Sequence, residues 1–597
     1  MEMDLDAIIA AAHRAKQACD YRLGNCSRVL HIGFFFDGVG RNIEQDAPEK
    51  RLSNIARLFR AYPVPEKNNS TESYQAHYIS GLGTPFVETT SERLQVIMDK
   101  SLDSLLNDLK DKPGDMVKEA FQSSVEGASS KDILTEMKDT LLTPKGRLGM
   151  LKDSAVNTLK RVGVEATPWL RDSAFVAYNF VTGADTRLNS AKASFVRSFE
   201  EAVKNGEVPV RLISVSVFGF DMGGTLARQF IDMLLGELCD KTTSGKLTFR
   251  SVPVDVVFVG LFDCSRDTPE SSDDGLDYAA SAVSWLPGPV AKTVGTVGTL
   301  FGRKYLGHMS PLPGAVKKSL HLVAAHERRR WRCVYRTGRN CSGHQELLMP
   351  GCSEDIGGGL KPDEQKPSAE LCRVALRKMY IEAMKAAVPF PDFSSLYNID
   401  RQVWSYFEMN DSVDNQSVEQ WVKSYQSAVS APELSYRAMN QHLDGYFEWL
   451  GRQFYEYKSE LRRLEGIRDG IMLSPSSMAG LVGMTPKARQ ARDEVTNDIV
   501  TLKKHWGWLS DVANAASLLL TRKLYNPPQM FMENIHQPAC VRASYFIECG
   551  TAGFDGKPLP VMGYRAPTTL YAWFVHDVQR AEGISDGYFS VRWMEPR

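Results

Sequence analysis

The 597-residue chain holds ten cysteines but no Cys-x-x-Cys pair. Cys19, Cys26, Cys239, Cys264, Cys333, Cys341, Cys352, Cys372, Cys540 and Cys549 are scattered and show no zinc-like Cys/His spacing, so a metal ribbon and a redox dithiol are excluded and the expectation is free thiols in a reducing compartment. An excess of positive charge is also missing: 71 Lys and Arg face 72 Asp and Glu, which argues against nucleic acid as the main partner. Residues 1–20 carry acidic groups early and lack the basic-then-apolar order of a secretory signal, so export, if any, is expected to use another machine than Sec. Long apolar runs are lacking too. The nearest, 278–301, is interrupted by Pro287, Pro289 and Lys292 and falls short of the roughly 20 apolar residues of a spanning helix. It reads as a packed loop-helix, with a surface dipping into a bilayer interface as the alternative. There is no internal repeat and no low-complexity tract.

What remains is an ordinary globular composition, 43% hydrophobic and 24% charged, with room for two or three domains. Residues 4–19 have helical periodicity, and 28–36 form a β-branched and aromatic run ending abruptly at Asp37-Gly38, a buried strand followed by a sharp loop. A helix from a Ser53 cap to Tyr62 follows, then a second strand over 78–84 that leaves through glycines. From 91 to 174 the sequence turns polar and helical, as an inserted lobe would. Strand and helix then alternate again: helix 192–204, strand 210–218, helix 225–238, strand 254–261 and strand 332–336. That order predicts an α/β fold with a mostly parallel sheet covered by helices on both faces. Beyond 389 the spacing is helical, notably over 417–464 and 486–522, with charged runs such as 460–465 read as solvated faces. The predicted division is a core from 1–90 and 175–390, a helical insertion at 91–174, a mainly helical accessory region at 391–562, and a segment at 563–597 returning to the core.

Chemistry concentrates at Gly219-Phe220-Asp221-Met222-Gly223-Gly224, between a strand and a helix. The layout is that of a nucleophile elbow, Gly-x-Ser-x-Gly, with Asp221 where serine belongs. A tight turn there strains its central residue, glycines remove colliding side chains, and the amides of Met222 and Gly223 open the helix toward a developing oxyanion. Some 40 residues later a strand ends in Asp263, where a triad acid would lie. The loop holding Ser353 and the glycines 357–359 comes where the histidine loop should follow, and it lacks the spacing and lysine of a phosphate loop.

Several segments, in order, resemble the α/β-hydrolase domain family that includes the first class of type VI secretion lipase effectors. Residues 35–42, Phe-Phe-Asp-Gly-Val-Gly-Arg-Asn, are similar to its opening F-F-D-G-T-x-N, and Gly81-Leu82-Gly83-Thr84 to its G-V-G-T. The elbow resembles G-F-S-R-G-A, residues 260–265 resemble G-L-F-D-T-V, His326-Glu327-Arg328-Arg329 resembles D-E-R-R, and 350–359 resembles P-G-x-H-x-D-x-G-G-G. Phe574-Val575-His576-Asp577, with Gly587-Tyr588 and Arg592, resembles the Y-V-H-D-S to G-Y-x-x-x-R ending. The resemblance implies an α/β-hydrolase-like fold and a lipase or phospholipase ancestry. It also implies a protein cytoplasmic in its bacterium and delivered by a type VI spike or adaptor protein, with an immunity protein and a membrane surface as further partners.

The departures fall on the chemistry. Asp221 stands for the nucleophile and Ser353 for the histidine, while the acid survives as Asp263, so no serine acyl transfer is expected, since removing a triad partner costs about 10⁴- to 10⁶-fold in turnover. Asp37 with the amides of Gly38 and Val39 lines the oxyanion side of the pocket, or else is simply a turn. No metal or cofactor is expected. Three readings stay open: an antibacterial effector retaining membrane recognition, a pseudoenzyme adaptor of the spike without toxicity, or a hydrolase with Asp221 as nucleophile and a recruited base. For that base the histidines to weigh are His326, His344 and His576, each read first as structural or capping and only second as catalytic.

Overall fold

The computed structural model describes residues 27–63, 71–86, 183–204, 206, 208–243, 245–266, 311–329, 332–338, 342–473, 485–525, 535–552, 558–560, 568–582, 584 and 586–595. The expected N-terminal helix, the insertion at 91–174, the 278–301 stretch and Arg330 lie outside them.

Six strands form a parallel sheet: β1 (Arg28–Phe36), β2 (Glu72–Ile79), β3 (Val210–Phe220), β4 (Val252–Phe262), β5 (Ser319–Ala324) and β6 (His344–Met349). Their order across the sheet is β6-β5-β4-β3-β1-β2. The chain runs outward from β1 to β2, then returns to the other side of β1 for β3 and continues away. Order therefore reverses between β1 and β3, and in open parallel sheets the crevice at the carboxyl ends of such strands is where ligands bind.

Each strand reads as a buried apolar run because both faces are covered. Leu30, Ile32, Phe34 and Phe36 of β1 and Ile213, Val215 and Val217 of β3 face one core, shared with α2 (Ala184–Lys204) and α3 (Met222–Met233). Phe35, Phe218 and Phe220 face the other, with α1 (Asn54–Ala61). The Ser53 cap is present, its side chain accepting from the Ala56 amide.

Beyond β6 come the short α4 (Ser353–Gly357), then α5 (Leu371–Lys385), α6 (Val418–Val429), α7 (Tyr436–Leu473), α8 (Pro486–Trp506), α9 (Leu509–Tyr525) and α10 (Gln537–Thr551). At about 1.5 Å per residue, the 38 residues of α7 run to about 57 Å. Its N-terminal half, from Met439 to Phe454, packs into a third core that also takes Val323, Val334 and Leu348 from the sheet side and Phe574, Phe589 and Met594 from the C-terminal segment.

Several element boundaries differ from expectation. Strand β2 ends at Ile79, because Gly81 and Gly83 belong to a turn in which Gly83 takes φ +78°. Helix α3 begins directly after the elbow, and 234–238 continue it as a π-turn. The strand expected at 332–336 is Cys333–Tyr335, and it is not in the main sheet. It pairs with Ser265–Arg266 and with Met594–Glu595 in a small three-stranded sheet. The loop carrying Ser353 follows β6 instead.

Candidate functional site

Three neighbouring strands end in carboxylates. Phe36 of β1 registers with Gly219 of β3, and Phe220 of β3 with Phe262 of β4, so Asp37, Asp221 and Asp263 emerge side by side at the carboxyl edge. Asp221 takes φ 53° and ψ −129°, and Asp263 takes φ 42°. Side chains other than glycine rarely hold such angles, at a strain of about 1–3 kcal/mol each, and sites of this kind cluster where function demands them. The turn closes through Gly224 N–H donating to Asp221 O at 3.0 Å. A Cβ on Gly223 would stand 2.2 Å from the Asp37 carbonyl oxygen, which is why the helix starts with no side chain there. The glycine run behind Ser353 serves a similar close approach: a Cβ on Gly357 would meet the Phe220 ring at 2.0 Å.

The small sheet is laid over these strand ends and brings Ser265, Arg332 and Arg592 to them. Ser265 Oγ donates to Asp221 Oδ1. Arg332 is buried and spans Asp221 and Ser353: one terminal nitrogen lies 3.5 Å from Asp221 Oδ2, and the other donates to Ser353 Oγ at 2.8 Å. Its guanidinium also lies 3.5 Å from Glu354 Oε1. Glu354 is shared with Arg329, which chelates Glu327 in turn. Burial works to raise the Glu354 pKa, but Arg329 and Arg332 outweigh it and hold the carboxyl below its ordinary range. The Asp221 carboxylate and the Ser353 hydroxyl are thus joined by one arginine.

Asp263 is fully engaged elsewhere. Arg592 Nη1 donates to its Oδ2 at 2.9 Å, Arg592 Nη2 to its Oδ1, and the Ala324 amide donates at 2.8 Å, with both side chains of the ion pair wholly buried. Asp37 accepts from the Gly38 amide at 2.8 Å and from Ser53 Oγ and Tyr78 Oη at 2.6 Å each. Burial nonetheless raises its pKa against those donors. The Gly38 amide is thus spent on a neighbouring side chain. Val39 is half-buried against the first core, and Met222 is buried in it.

The candidate bases separate sharply. His326 Nδ1 accepts from the Gly351 amide at 2.8 Å, leaving its Nε2–H to donate to Tyr425 Oη at 3.4 Å. Tyr425 Oη–H donates to His442 Nδ1 at 2.5 Å, and His442 Nε2–H donates to the Ala431 carbonyl at 2.9 Å. Each tautomer in this relay is dictated by its neighbour, both imidazoles are neutral, and His326 has no nitrogen left for substrate. Burial depresses both, His442 to about 4 and His326 further, the latter aided by His442 and Arg328. His344 opens β6 and bonds Ser319 Oγ at 2.9 Å, at the opposite end of the strands from the carboxylates. His576 differs: Nδ1 meets Asp355 Oδ1 at 2.6 Å, and Nε2 has no partner among the described residues.

Arg332 and Asp355 were not singled out by sequence. Arg332 lies beyond the consecutive Arg328, Arg329 and Arg330, separated from them by Trp331, and Asp355 is the final Asp of the P-G-x-H-x-D resemblance. Among the described residues no group of three potential metal ligands occurs, all seven cysteines are free, and no helix is long and apolar enough to cross a membrane.

No protein-family model and no curated protein sequence matches this chain. Among solved structures it is similar to an uncharacterized protein from Pseudomonas aeruginosa, at 16% identity and a TM-score of 0.52 over 99% of this chain and 82% of that one. That likeness is one of fold. A structure of the Tle1 effector bound to the VgrG spike from the Type 6 secretion system is also matched, at 17% identity and a TM-score of 0.29 over 57% of this chain and 52% of that one, a score from which nothing is concluded.

Proposed function

We propose that the chain is an α/β-hydrolase-like relative of the type VI lipase effectors that has given up serine acylation and acts at a bacterial membrane surface or by binding a partner. Its proposed partners are a spike or adaptor protein and an immunity protein, and its proposed route is from the producer's cytoplasm into a target cell. The order of the sequence motifs supports this reading, as do the parallel sheet with its order reversal and the strained turn at the end of β3.

The observation that carries the loss of acylation is the Arg332 bridge between Asp221 and Ser353. Acyl transfer needs a hydroxyl and a base that takes its proton, and a guanidinium remains protonated at any working pH. The same bridge weighs against Asp221 as a nucleophile, because both its oxygens are occupied, one by Ser265 and one by Arg332. The proposed core, 1–90 with 175–390, is rejoined by 563–597: Met594 pairs with Val334, and Arg592 with Asp263.

The test is exposure of the purified chain to a fluorophosphonate probe and to phospholipid vesicles. No covalent labelling is expected, whereas binding to vesicles or co-purification with a spike protein is. Phospholipid hydrolysis that the probe abolishes would end the proposal. Growth arrest on periplasmic expression favours the effector reading over the non-toxic adaptor.

A further inference from the structure

Two arginines on α1 carry charge that no carboxylate answers. Arg57 and Arg60 stand three residues apart on one face of the helix, 8% and 9% exposed. Arg57 Nη1 donates to Asn54 Oδ1 at 2.9 Å and to Cys372 Sγ at 3.0 Å. Arg60 Nη1 donates to Tyr406 Oη at 2.5 Å, and its Nη2 makes a long contact to Gln402 Oε1 at 3.4 Å. Among the described residues neither arginine has an ion pair. Guanidinium groups so far from water are ordinarily paired, as Arg328 is with Asp577, Arg542 with Asp444 and Arg592 with Asp263. The carboxylates around α1 are engaged otherwise: Glu370 accepts from Arg373 at 2.7 Å and from the Asp411 amide at 2.8 Å, and Asp400 caps the short helix Arg401–Ser405.

The surplus charge acts on its neighbours. Burial first and Arg57 next hold the Arg373 pKa below its ordinary value, in spite of Glu370. Burial raises that of Tyr406 while Arg60 and Arg57 both work against it, so both charges lie near its hydroxyl. Donors also remain open. Arg57 spends one nitrogen, which leaves Nε and Nη2, the edge of the fork whose two N–H bonds run parallel and match a pair of oxygens. Arg187, by contrast, spends Nε and both terminal nitrogens on carbonyl oxygens. Arg60 keeps Nε, and Tyr406, which accepts from Arg60, keeps its own O–H to donate. The cluster reaches solvent, since Tyr406 is 8% exposed and the Arg373 side chain 25%.

We propose that Arg57, Arg60 and Tyr406 bind a phosphate-class oxyanion, with two of its oxygens on the free edge of Arg57 and a third on Tyr406 O–H and Arg60 Nε. A carboxylate has two oxygens and one charge, which Arg57 alone would satisfy; a phosphate group has the extra oxygen and the extra charge that the second arginine calls for. The occupant is free phosphate or the phosphoryl end of a soluble molecule, because donors with less than a tenth of their surface exposed admit one oxyanion and not the plane of a bilayer. The site does not use the bridge between Asp221 and Ser353, so its failure would leave the loss of serine acylation standing.

The test is equilibrium dialysis of the full chain against radiolabelled inorganic phosphate at fixed ionic strength, with acetate as competitor. Retention of about one phosphate per chain is expected, with Kd below about 1 mM and little displacement by acetate. Arg57→Gln and Arg60→Gln should each weaken retention by about tenfold or more, and Tyr406→Phe, which keeps the ring beneath Arg60, by about fivefold. Melting of the unmodified chain in phosphate against chloride needs no variant, and phosphate should raise the midpoint by about 2 °C or more. No retention, no shift in melting, retention unchanged by the three substitutions, or equal displacement by acetate overturns the site. Binding to phosphatidic acid vesicles that Arg57→Gln abolishes, without retention of inorganic phosphate, overturns the soluble occupant in favour of a lipid headgroup.

Discussion

Replacing Arg592 by Met tests whether the carboxyl-edge carboxylates depend on the returning C-terminal segment. Arg592 and Asp263 are both wholly buried, and the guanidinium gives Asp263 two of its three side-chain hydrogen bonds while also donating to the Ala324 carbonyl at 3.1 Å and the Arg332 carbonyl at 3.3 Å. Methionine fills similar volume but leaves a buried carboxylate with the Ala324 amide alone. Breaking one side of a buried pair costs about 3–5 kcal/mol, mostly the penalty of the abandoned charge. Against a typical total of about 5–15 kcal/mol, that is a large part of the stability. Removing the charge as well, with Asp263→Asn added, should recover about 2 kcal/mol or more, and asparagine tolerates the positive φ of that position. Urea unfolding followed by tryptophan fluorescence reads both. With a slope of about 3 kcal/mol per molar, the single variant's midpoint should fall by about 1–2 M and the double variant's by less. A single variant within about 0.5 kcal/mol of the parent, or a double variant no better than the single, would refute the reasoning.

Three further outcomes are expected. Asp221→Ser with Ser353→His should react only weakly with a fluorophosphonate while Arg332 stands between the two, and adding Arg332→Ala should raise labelling by about tenfold or more; equal labelling of the double and triple variants would show that Arg332 is not the obstacle. Gly223→Ala puts a methyl 2.2 Å from the Asp37 carbonyl oxygen, so thermal melting should reveal a loss of at least about 1–3 kcal/mol, and an unchanged melt would contradict the packing at the elbow. Stability should also fall with acid: His442 is depressed to about 4 and His326 further, so the unfolded chain binds protons that the native one refuses, and their contribution, full above about pH 6.5, is lost as pH drops toward 4. Asp46, raised to about 6 chiefly by burial, works in the opposite sense, so the histidine part is the difference between the parent and His442→Gln, on the order of 3 kcal/mol at most; parallel midpoint curves from pH 7 to 4.5 would remove the relay from the account.

Much of the sheet was legible because strands buried on both faces are continuous apolar runs, as in β1 and β3, and because Ser53 and the elbow glycines mark their turns locally. Strands β5 and β6 were not. Ser-Leu-His-Leu-Val-Ala and His-Gln-Glu-Leu-Leu-Met break their apolar runs with polar residues: β6 is an edge strand, whereas β5 lies inside the sheet and buries its His321, which pairs with Glu346 at 3.3 Å and accepts from the Cys264 amide at 3.0 Å. The stretch at 332–336, with the apolar centre Cys333-Val334-Tyr335, reads as a strand instead, and it proves peripheral. The candidate site was legible only as positions along the chain. That Asp221, Asp263 and Ser353 share one edge follows from chain order and a parallel sheet. What each of them touches does not: Arg592 is 329 residues from Asp263 and His576 is 221 from Asp355, and no local pattern encodes such partners.

Asp221 and Ser353 are coupled through a single side chain, Arg332. A carboxylate placed at the elbow in the sheet interior needs a cation, and Arg332, entering from the small sheet, is the cation within reach, at 3.5 Å. Its second nitrogen then requires an acceptor close to the loop after β6, and the Ser353 hydroxyl accepts at 2.8 Å. An imidazole at 353 could accept there only through a ring nitrogen, and in doing so would surrender the lone pair that makes histidine a base. Aspartate at 221 offers no nucleophilic hydroxyl, and with Arg332 bound at both positions a histidine at 353 would gain nothing as a base. Other buried carboxylates near this edge are paired with arginines as well, Glu354 and Glu327 with Arg329, Asp263 with Arg592 and Asp577 with Arg328, while Asp37 accepts from Ser53 and Tyr78 instead. With Asp221 and Ser353 both tied to Arg332, a change at either position alone leaves the other half of the bridge in place and does not supply a hydroxyl with a free base beside it.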